Sequence, residues 1–424
     1  MTYPFDWNEF ADQPHNVAPR SERMRHHLRH WTTYFSMIGA DLRVVVPALV
    51  LYGSYRKKMF RRPVAFERDM FAVCASPCPG RNGDVAALLK EAGVSQTLVR
   101  IPSWDKARLD VYEELIKLLG ANGTGVTIAL LQRREDVFET EAWSRFVEDV
   151  FVRFRGLCSS YEIGHAWNRT KWGVWDYTEY LKLARPAVEL SRRHGARLVG
   201  PAVIDFEFHL YPPTLRALSF DKVSSILYVD RVGAPENAQF GWTAAKKIAL
   251  FKAVADRSAG KPVEAWITEF NWPLEGTGKY SPASGKPNVS EDCQADYLVR
   301  YYTLGLASGL VERMFWWQLA APGYGLVDSR EAVWRRRPSF VALKTMIGIL
   351  SGGTFTGKAE AGEGEIYFFR KEGREFAACW TNGPPFEHQF ERPVDKVVGR
   401  DGGLVDGRGE IRIDGSPKYV FFKS

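Results

Sequence analysis

Cysteine is scarce: Cys74, Cys78, Cys158, Cys293 and Cys379 are the full complement of 424 residues. An odd, widely spread set excludes a disulfide framework and fits a reducing compartment. No second Cys or His pair completes four ligands around Cys74 and Cys78, so no zinc site or other metal is expected. Met1-Thr2-Tyr3-Pro4-Phe5-Asp6-Trp7 has neither a basic n-region nor a following apolar h-region. A secretory signal is therefore not expected, and the cytoplasm is the expected location. There is no fixed-period repeat and no low-complexity tract. No glycine-rich phosphate loop follows any candidate strand, which argues against a nucleotide fold, and no cofactor is expected. Long hydrophobic runs are missing too. The stretch Val44 to Tyr52 falls short of the roughly 20 apolar residues that span a bilayer.

What is abundant is local positive charge. The ten cations Arg20, Arg23, Arg25, Arg29, Arg43, Arg56, Lys57, Lys58, Arg61 and Arg62 face only Glu22 and Asp41, a local excess of eight against +7 for the whole chain. Basic flanks around an apolar stretch fit an interfacial element drawn to anionic lipid, so residues 20–62 are a candidate peripheral membrane contact on the inner face. A solvated arm packed on the rest of the protein is the alternative. Nucleic acid is not expected, because no recognition motif accompanies the charge. The 26 Phe, 17 Tyr and 14 Trp suit stacking on flat apolar faces such as sugar rings, although core packing uses the same residues.

From Phe66 onward, short β-branched runs alternate with longer amphipathic ones, the pattern of a parallel sheet with crossover helices. Eight strands are expected: Met70 to Ala75, Thr97 to Pro102, Val126 to Leu131, Ser160 to Gly164, Leu198 to Ile204, Val223 to Val229, Val263 to Glu269 and Arg313 to Gln318. One-sided apolar spacing predicts helices over Asp110 to Leu119, Tyr177 to His194 and Thr243 to Arg257. The fold class is therefore α/β, a (β/α)8 TIM barrel, with a doubly wound open sheet as runner-up. After Leu350 the texture becomes short alternating strands, such as Glu365 to Arg370, Glu375 to Trp380 and Tyr419 to Lys423, separated by turn residues. Three regions follow: a basic N-terminal extension over 1–65, the barrel over 66–350 and a small all-β domain over 351–424.

Chemistry in such a barrel is expected where the strands end. The candidate ring is Arg100 and Trp104 after strand two, Gln132 after three, and His165, Asn168 and Trp172 after four. It continues with Asp205, Glu207 and His209 after five, Tyr228 and Asp230 after six, Glu269 and Trp272 after seven, and Trp316, Trp317 and Gln318 around eight.

Two segments carry a resemblance. Ile267-Thr268-Glu269-Phe270 ends strand seven with one carboxylate, and Glu162-Ile163-Gly164-His165-Ala166-Trp167-Asn168 ends strand four. From about Phe66 to the C-terminus the chain resembles the clan A glycoside hydrolases, retaining enzymes with one catalytic Glu ending strand four and another ending strand seven. The resemblance implies Glu269 as nucleophile, with Arg100, Tyr228 and Trp316 at the family's strand-two, strand-six and strand-eight positions. At strand four the pattern breaks, because Ala166 stands where the proton donor is expected. Glu162 lies four residues earlier, about 13 Å down the strand, and reads as structural. His165 titrates near neutral pH and is a candidate donor, although alternation from Ala166 aims it at the opposite face unless the turn rotates it. Glu207 and Asp205, on one side of the adjacent strand, are the other candidates.

Two functions stand. One is a glycosidase or transglycosidase with Glu269 as nucleophile and His165 or Glu207 as donor. The other is an inactive carbohydrate-binding barrel in which Trp104, Trp172, Trp272, Trp316 and Trp317 stack sugars while Gln132, Asn168 and Gln318 bind hydroxyls. A bacterial cell-envelope glycan or its lipid-linked precursor is the expected ligand, from the basic arm and the absent export signal.

Overall fold

The computed structural model describes residues 5–15, 18–229, 233–281, 288–361, 364–407 and 409–423. Eight parallel strands close on themselves: β1 (Phe71–Cys74), β2 (Gln96–Pro102), β3 (Gly125–Leu131), β4 (Ser160–Ile163), β5 (Leu198–Ile204), β6 (Lys222–Ile226), β7 (Glu264–Phe270) and β8 (Arg313–Trp316). Pairing of β8 with β1 completes the cylinder. The chain is a TIM barrel with a C-terminal β domain. Helices α1 (Arg20–Arg29) and α2 (Thr32–Lys58) precede the barrel. Around it run α3 (Asn82–Glu91), α4 (Leu109–Ala121), α5 (Arg134–Phe138), α6 (Thr140–Arg153), α7 (Tyr177–His194), α8 (Tyr211–Ala217), α9 (Ala244–Ala259), α10 (Glu291–Ala307) and α11 (Pro338–Leu350).

The strands read as continuous apolar runs because both faces are covered. Ala72, Leu98, Ala129, Val199, Ile226, Trp266 and Phe315 pack inside the cylinder. Their neighbours Phe71, Val73, Val99, Ile128, Val223, Ile267 and Met314 belong to the layer under the helices. Each helix answers with a stripe at 3.6-residue spacing, as in Leu109, Tyr112, Leu115, Ile116 and Leu119 of α4. Helix α7 has both ends satisfied: Asp176 accepts from the Thr178 and Glu179 amides, and Gly195 ends it in the left-handed conformation.

Beyond α11 the chain forms a seven-stranded antiparallel sheet. Its outer strand is Val64–Phe66, which pairs with Gly353–Ala361, so the chain visits the β domain just before entering the barrel. Arg300 of α10 donates to the Thr381 carbonyl at 3.1 Å and ties barrel to sheet.

The N-terminal extension differs from the sequence expectation. Val44 to Tyr52 is the middle of the 27-residue helix α2, about 40 Å long and long and apolar enough to cross a membrane. Its small residues Ala40, Val44 and Ala48 face inward as it packs along α8 and α9. Phe35, Ile38, Leu42, Val46, Leu49 and Val50 point outward and are half to two-thirds exposed. Before α1, a hairpin pairs Trp7–Asn8 with Gln13–Pro14 over the open end of the barrel.

Candidate active site

Strand β7 delivers Glu269 by breaking its own alternation. Trp266 faces the interior, so Glu269, three residues on, would point outward with Ala265 and Ile267. The register of β7 shifts between Ile267 and Glu269 against β6 and between Ile267 and Phe270 against β8, and this bulge turns the carboxylate into the mouth. There Glu269 is 7 % exposed and meets a cavity of about 720 Å³. Tyr228 donates its hydroxyl to Oε1, and Arg100 Nη2 donates to Oε2. The Arg100 guanidinium lies 3.3 Å from the centre of the Trp317 ring, which covers its face. Burial works against ionisation of Glu269, but the Arg100 charge and the donors around it win and hold its carboxyl down at about 2.

His165 enters the same cluster, against the expectation from strict alternation. Gly164 has a φ of +76°, and a Cβ there would lie 2.9 Å from the Tyr180 ring, so the chain turns sharply after β4. The turn swings the imidazole inward. Its Nε2 lies 2.9 Å from Arg100 Nη2 and 3.3 Å from Glu269 Oε2. Burial, helped by the Arg100 charge, lowers the His165 pKa to about 4. At neutral pH this ring is uncharged and is a poor proton donor.

The carboxylates after β5 are occupied. Arg169 donates from one end of its guanidinium to Glu207 Oε1 and from the other, at 2.5 Å, to Asp205 Oδ2. Asn168 Nδ2 takes Glu207 Oε2 at 3.0 Å. Both acids line the cavity, but each has an oxygen engaged by Arg169 and neither stands as a free donor.

Of the other expected residues, Arg100, Trp172, Tyr228 and Trp317 line the cavity. Several do not. Trp316 is wholly buried under the helices, 5.4 Å from the Phe270 ring, so the inward tryptophan of β8 is Trp317, one residue on. Trp272 is buried beside it and donates Nε1 to the Gly233 carbonyl at 3.0 Å. Gln132 is spent on the backbone of His165 and Trp172, and Asn168 on both backbone groups of Ile204 as well as on Glu207. Gln318 accepts from Ser76 at 2.9 Å. Trp104 is covered by Phe5 and Trp7, with ring centres 4.5 and 5.0 Å away. His209 is exposed outside the cavity, and Asp230 lies outside the described residues. Glu162 is fully buried inside the barrel, and burial, opposed in part by the Thr268 and Ser224 hydroxyls, raises its carboxyl to about 7.

Sequence reasoning missed the wall made by the N-terminal hairpin. Ala11, Asp12 and Gln13 line the cavity beside the strand ends, Asp12 in contact with Arg100. The hairpin is pinned by Trp7 against Trp104 and Trp172 and by Phe10 against Tyr280, 4.8 Å between centres. Asn8 Oδ1 caps its tip by accepting from the Phe10 and Ala11 amides. Lys171, Lys247 and Asn271, also on the wall, were not singled out either. Among the described residues one cluster has metal-ligating composition: His26 on α1 and His30 just after it, with Asp176, joined by contacts of 2.7 and 3.3 Å. None of the three lines the cavity.

No family model matches the chain, and no curated protein does. Solved structures do. A family 39 glycoside hydrolase from the gut symbiont Bacteroides cellulosilyticus WH2 superposes with a TM-score of 0.67 at 15% identity, over 84% of this chain and 81% of that one. The GH51 arabinofuranosidase from Xanthomonas axonopodis pv. citri gives 0.59 at 14% identity, over 85% of this chain and 98% of that one. At this identity the likeness is one of fold, and it takes in barrel and β domain together.

Proposed function

We propose that this protein acts on O-glycosidic bonds of an oligo- or polysaccharide, with Glu269 as nucleophile. The observation that carries the reading is the ionised carboxylate of Glu269, fixed by Tyr228 and Arg100 and facing a cavity large enough for sugar units. In a retaining mechanism such a group attacks the anomeric carbon, and the low pKa keeps it ready as a nucleophile and a good leaving group in the second step. Trp172 and Trp317 offer aromatic surface along the wall. The two solved neighbours, a glycoside hydrolase and an arabinofuranosidase, support carbohydrate as the ligand class. Glu269→Gln should abolish turnover of every 2,4-dinitrophenyl glycoside that the wild type cleaves, while binding of the parent sugar survives. Equal turnover by the two proteins would remove Glu269 from the chemistry.

One observation favours a second reading, a carbohydrate-binding barrel without turnover. Ala166 lines the cavity at the end of β4 and offers no proton, His165 is neutral, and Glu207 is held by Arg169 and Asn168. Sugar binding with no cleavage of any activated glycoside would establish this alternative.

The second part of the proposal concerns location. Helix α2 presents an apolar stripe to solvent between the cations of α1 and those of Arg56, Lys57, Lys58, Arg61 and Arg62. We propose that this stripe lies in the headgroup layer of an anionic membrane, at its cytoplasmic face. A cell-envelope glycan, or a lipid-linked precursor of one, is the substrate class that such a position serves.

A further inference from the structure

We propose that Asp12, on the N-terminal hairpin, is the proton donor that β4 lacks. The inference rests on the reading of Glu269 as nucleophile and names the second group that the same site needs. A retaining site needs a second carboxyl about 5 Å from the nucleophile, on the leaving-group side. The inner ends of the strands do not supply it: Ala166 has no proton, and Asp205 and Glu207 are clamped on Arg169. Asp12 comes from the N-terminal hairpin, which lines the same cavity.

Its position relative to Glu269 is set by one guanidinium. Arg100 gives Nη2 to Glu269, while Nη1 faces Asp12 Oδ2 at 3.4 Å and donates to the Asp12 carbonyl at 3.2 Å. Both carboxyls are therefore held by the two terminal nitrogens of one planar fork, at the edge of the same cavity. The backbone at Asp12 is bent into the left-handed region, φ +48°, at a hairpin tip braced by Asn8 and by the Trp7, Trp104 and Trp172 rings. Such bracing holds a short side chain on target.

The electrostatics divide the two acids as the chemistry demands. Glu269 has a tight partner in Arg100 and stays ionised. Asp12 has only the longer contact, so burial, reinforced by the Glu269 charge and opposed by Arg100, raises its carboxyl to about 6. The charged groups that act on it are Arg100 from β2, in direct contact, and Glu269 from β7; the Cys74 thiol from β1 and the Tyr112 and Tyr324 hydroxyls, from α4 and from the chain after β8, lie within range of its charge.

In the first step a Glu269 oxygen bonds to the anomeric carbon as the glycosidic C–O bond breaks. The electron pair goes to the leaving oxygen, which takes the Asp12 proton. In the second, water attacks the anomeric carbon, Asp12 accepts its proton and Glu269 departs as carboxylate. The net change is addition of water across one glycosidic bond.

The test compares Asp12→Asn with the wild type on phenyl and 2,4-dinitrophenyl glycosides of whichever sugar a dinitrophenyl panel identifies, reading kcat/KM against pH. General acid assistance is worth about 10²- to 10⁴-fold. A loss of that size is expected on the phenyl glycoside, with less than about tenfold on the dinitrophenyl one, whose leaving group needs little proton. The wild-type fall in kcat/KM above about pH 6 on the phenyl glycoside should vanish in Asp12→Asn, and Asp12→Glu should restore part of the activity. Equal losses on both glycosides, or a gain on removing the hairpin side chain in Asp12→Ala, would overturn the proposal and leave Asp12 as a structural or blocking group. Wild-type cleavage that Glu269→Gln abolishes and Asp12→Asn leaves unchanged on phenyl glycosides refutes Asp12 alone. No cleavage of any glycoside by the wild type refutes both assignments.

Discussion

Gln132 grips the His165 peptide from both sides. Its Oε1 accepts from the His165 amide at 2.9 Å, and its Nε2 donates to the His165 carbonyl at 3.0 Å and to the Trp172 carbonyl at 3.0 Å. The amide of one side chain therefore stands in for a strand partner where β4 has ended and the chain has turned at Gly164. The imidazole beside Glu269 owes its place to this grip.

Gln132→Leu keeps the volume and removes all three bonds. The His165 amide and carbonyl are then buried without partners, at about 1 to 3 kcal/mol each, so a loss of roughly 3 kcal/mol is expected. The denaturant midpoint reads it directly. An unchanged midpoint would mean that the loop finds other partners and that Gln132 does not set the turn.

Glu162 gives the barrel a pH-dependent weakness. Burial raises its carboxyl from 4.5 in the unfolded chain to about 7 in the folded one. Between those values the folded state keeps a proton that the unfolded state has released, so stability falls as pH rises through this window. The linked loss is about 3 kcal/mol, fully present above pH 7 and absent below 4.5. Glu162→Gln removes the charge, so the mutant should melt higher than the wild type at pH 8 and close to it at pH 4.5. A constant difference at both pH values would show that the carboxyl does not titrate as argued.

The barrel was legible because its strands are short, mostly apolar runs, many of them β-branched, separated by amphipathic helices, and each formed where it was expected within a few residues. Arg100, Tyr228 and Glu269 were legible as polar groups placed at the ends of such runs. Trp316 and Trp317 are adjacent, and sequence could not say which one faces inward, since one residue of register reverses the answer. Gln132 and Asn168 look in sequence like hydroxyl-binding groups, yet an amide that closes a backbone turn has the same signature. Asp12 had no signal: it reaches the site through a hairpin packed on distant tryptophans, and nothing in its local sequence records that contact. The length of α2 was hidden for a related reason. Its first turns, Thr32-Thr33-Tyr34-Phe35-Ser36, mix polar and apolar residues, and only packing on α8 and α9 separates the two faces.

That separation yields the last prediction. Ala40, Val44 and Ala48 are small and let α2 lie close against α9, while Phe35, Ile38, Leu42, Val46 and Leu49 recur every three or four residues on the outer side. A contiguous apolar stripe left in water is costly, and the cations beside it favour an anionic apolar surface over a neutral one. Wild-type protein should therefore co-sediment with phosphatidylcholine vesicles that contain phosphatidylglycerol, and much less with phosphatidylcholine alone. Added salt should weaken binding without abolishing it, because screening acts on the charges and not on the stripe. Leu42→Glu with Val46→Glu, both on the exposed face, should release the protein from vesicles while leaving its melting temperature unchanged. A concentration-dependent dimer lost in the same double mutant, with no vesicle binding by the wild type, would instead assign the stripe to a second copy of the chain.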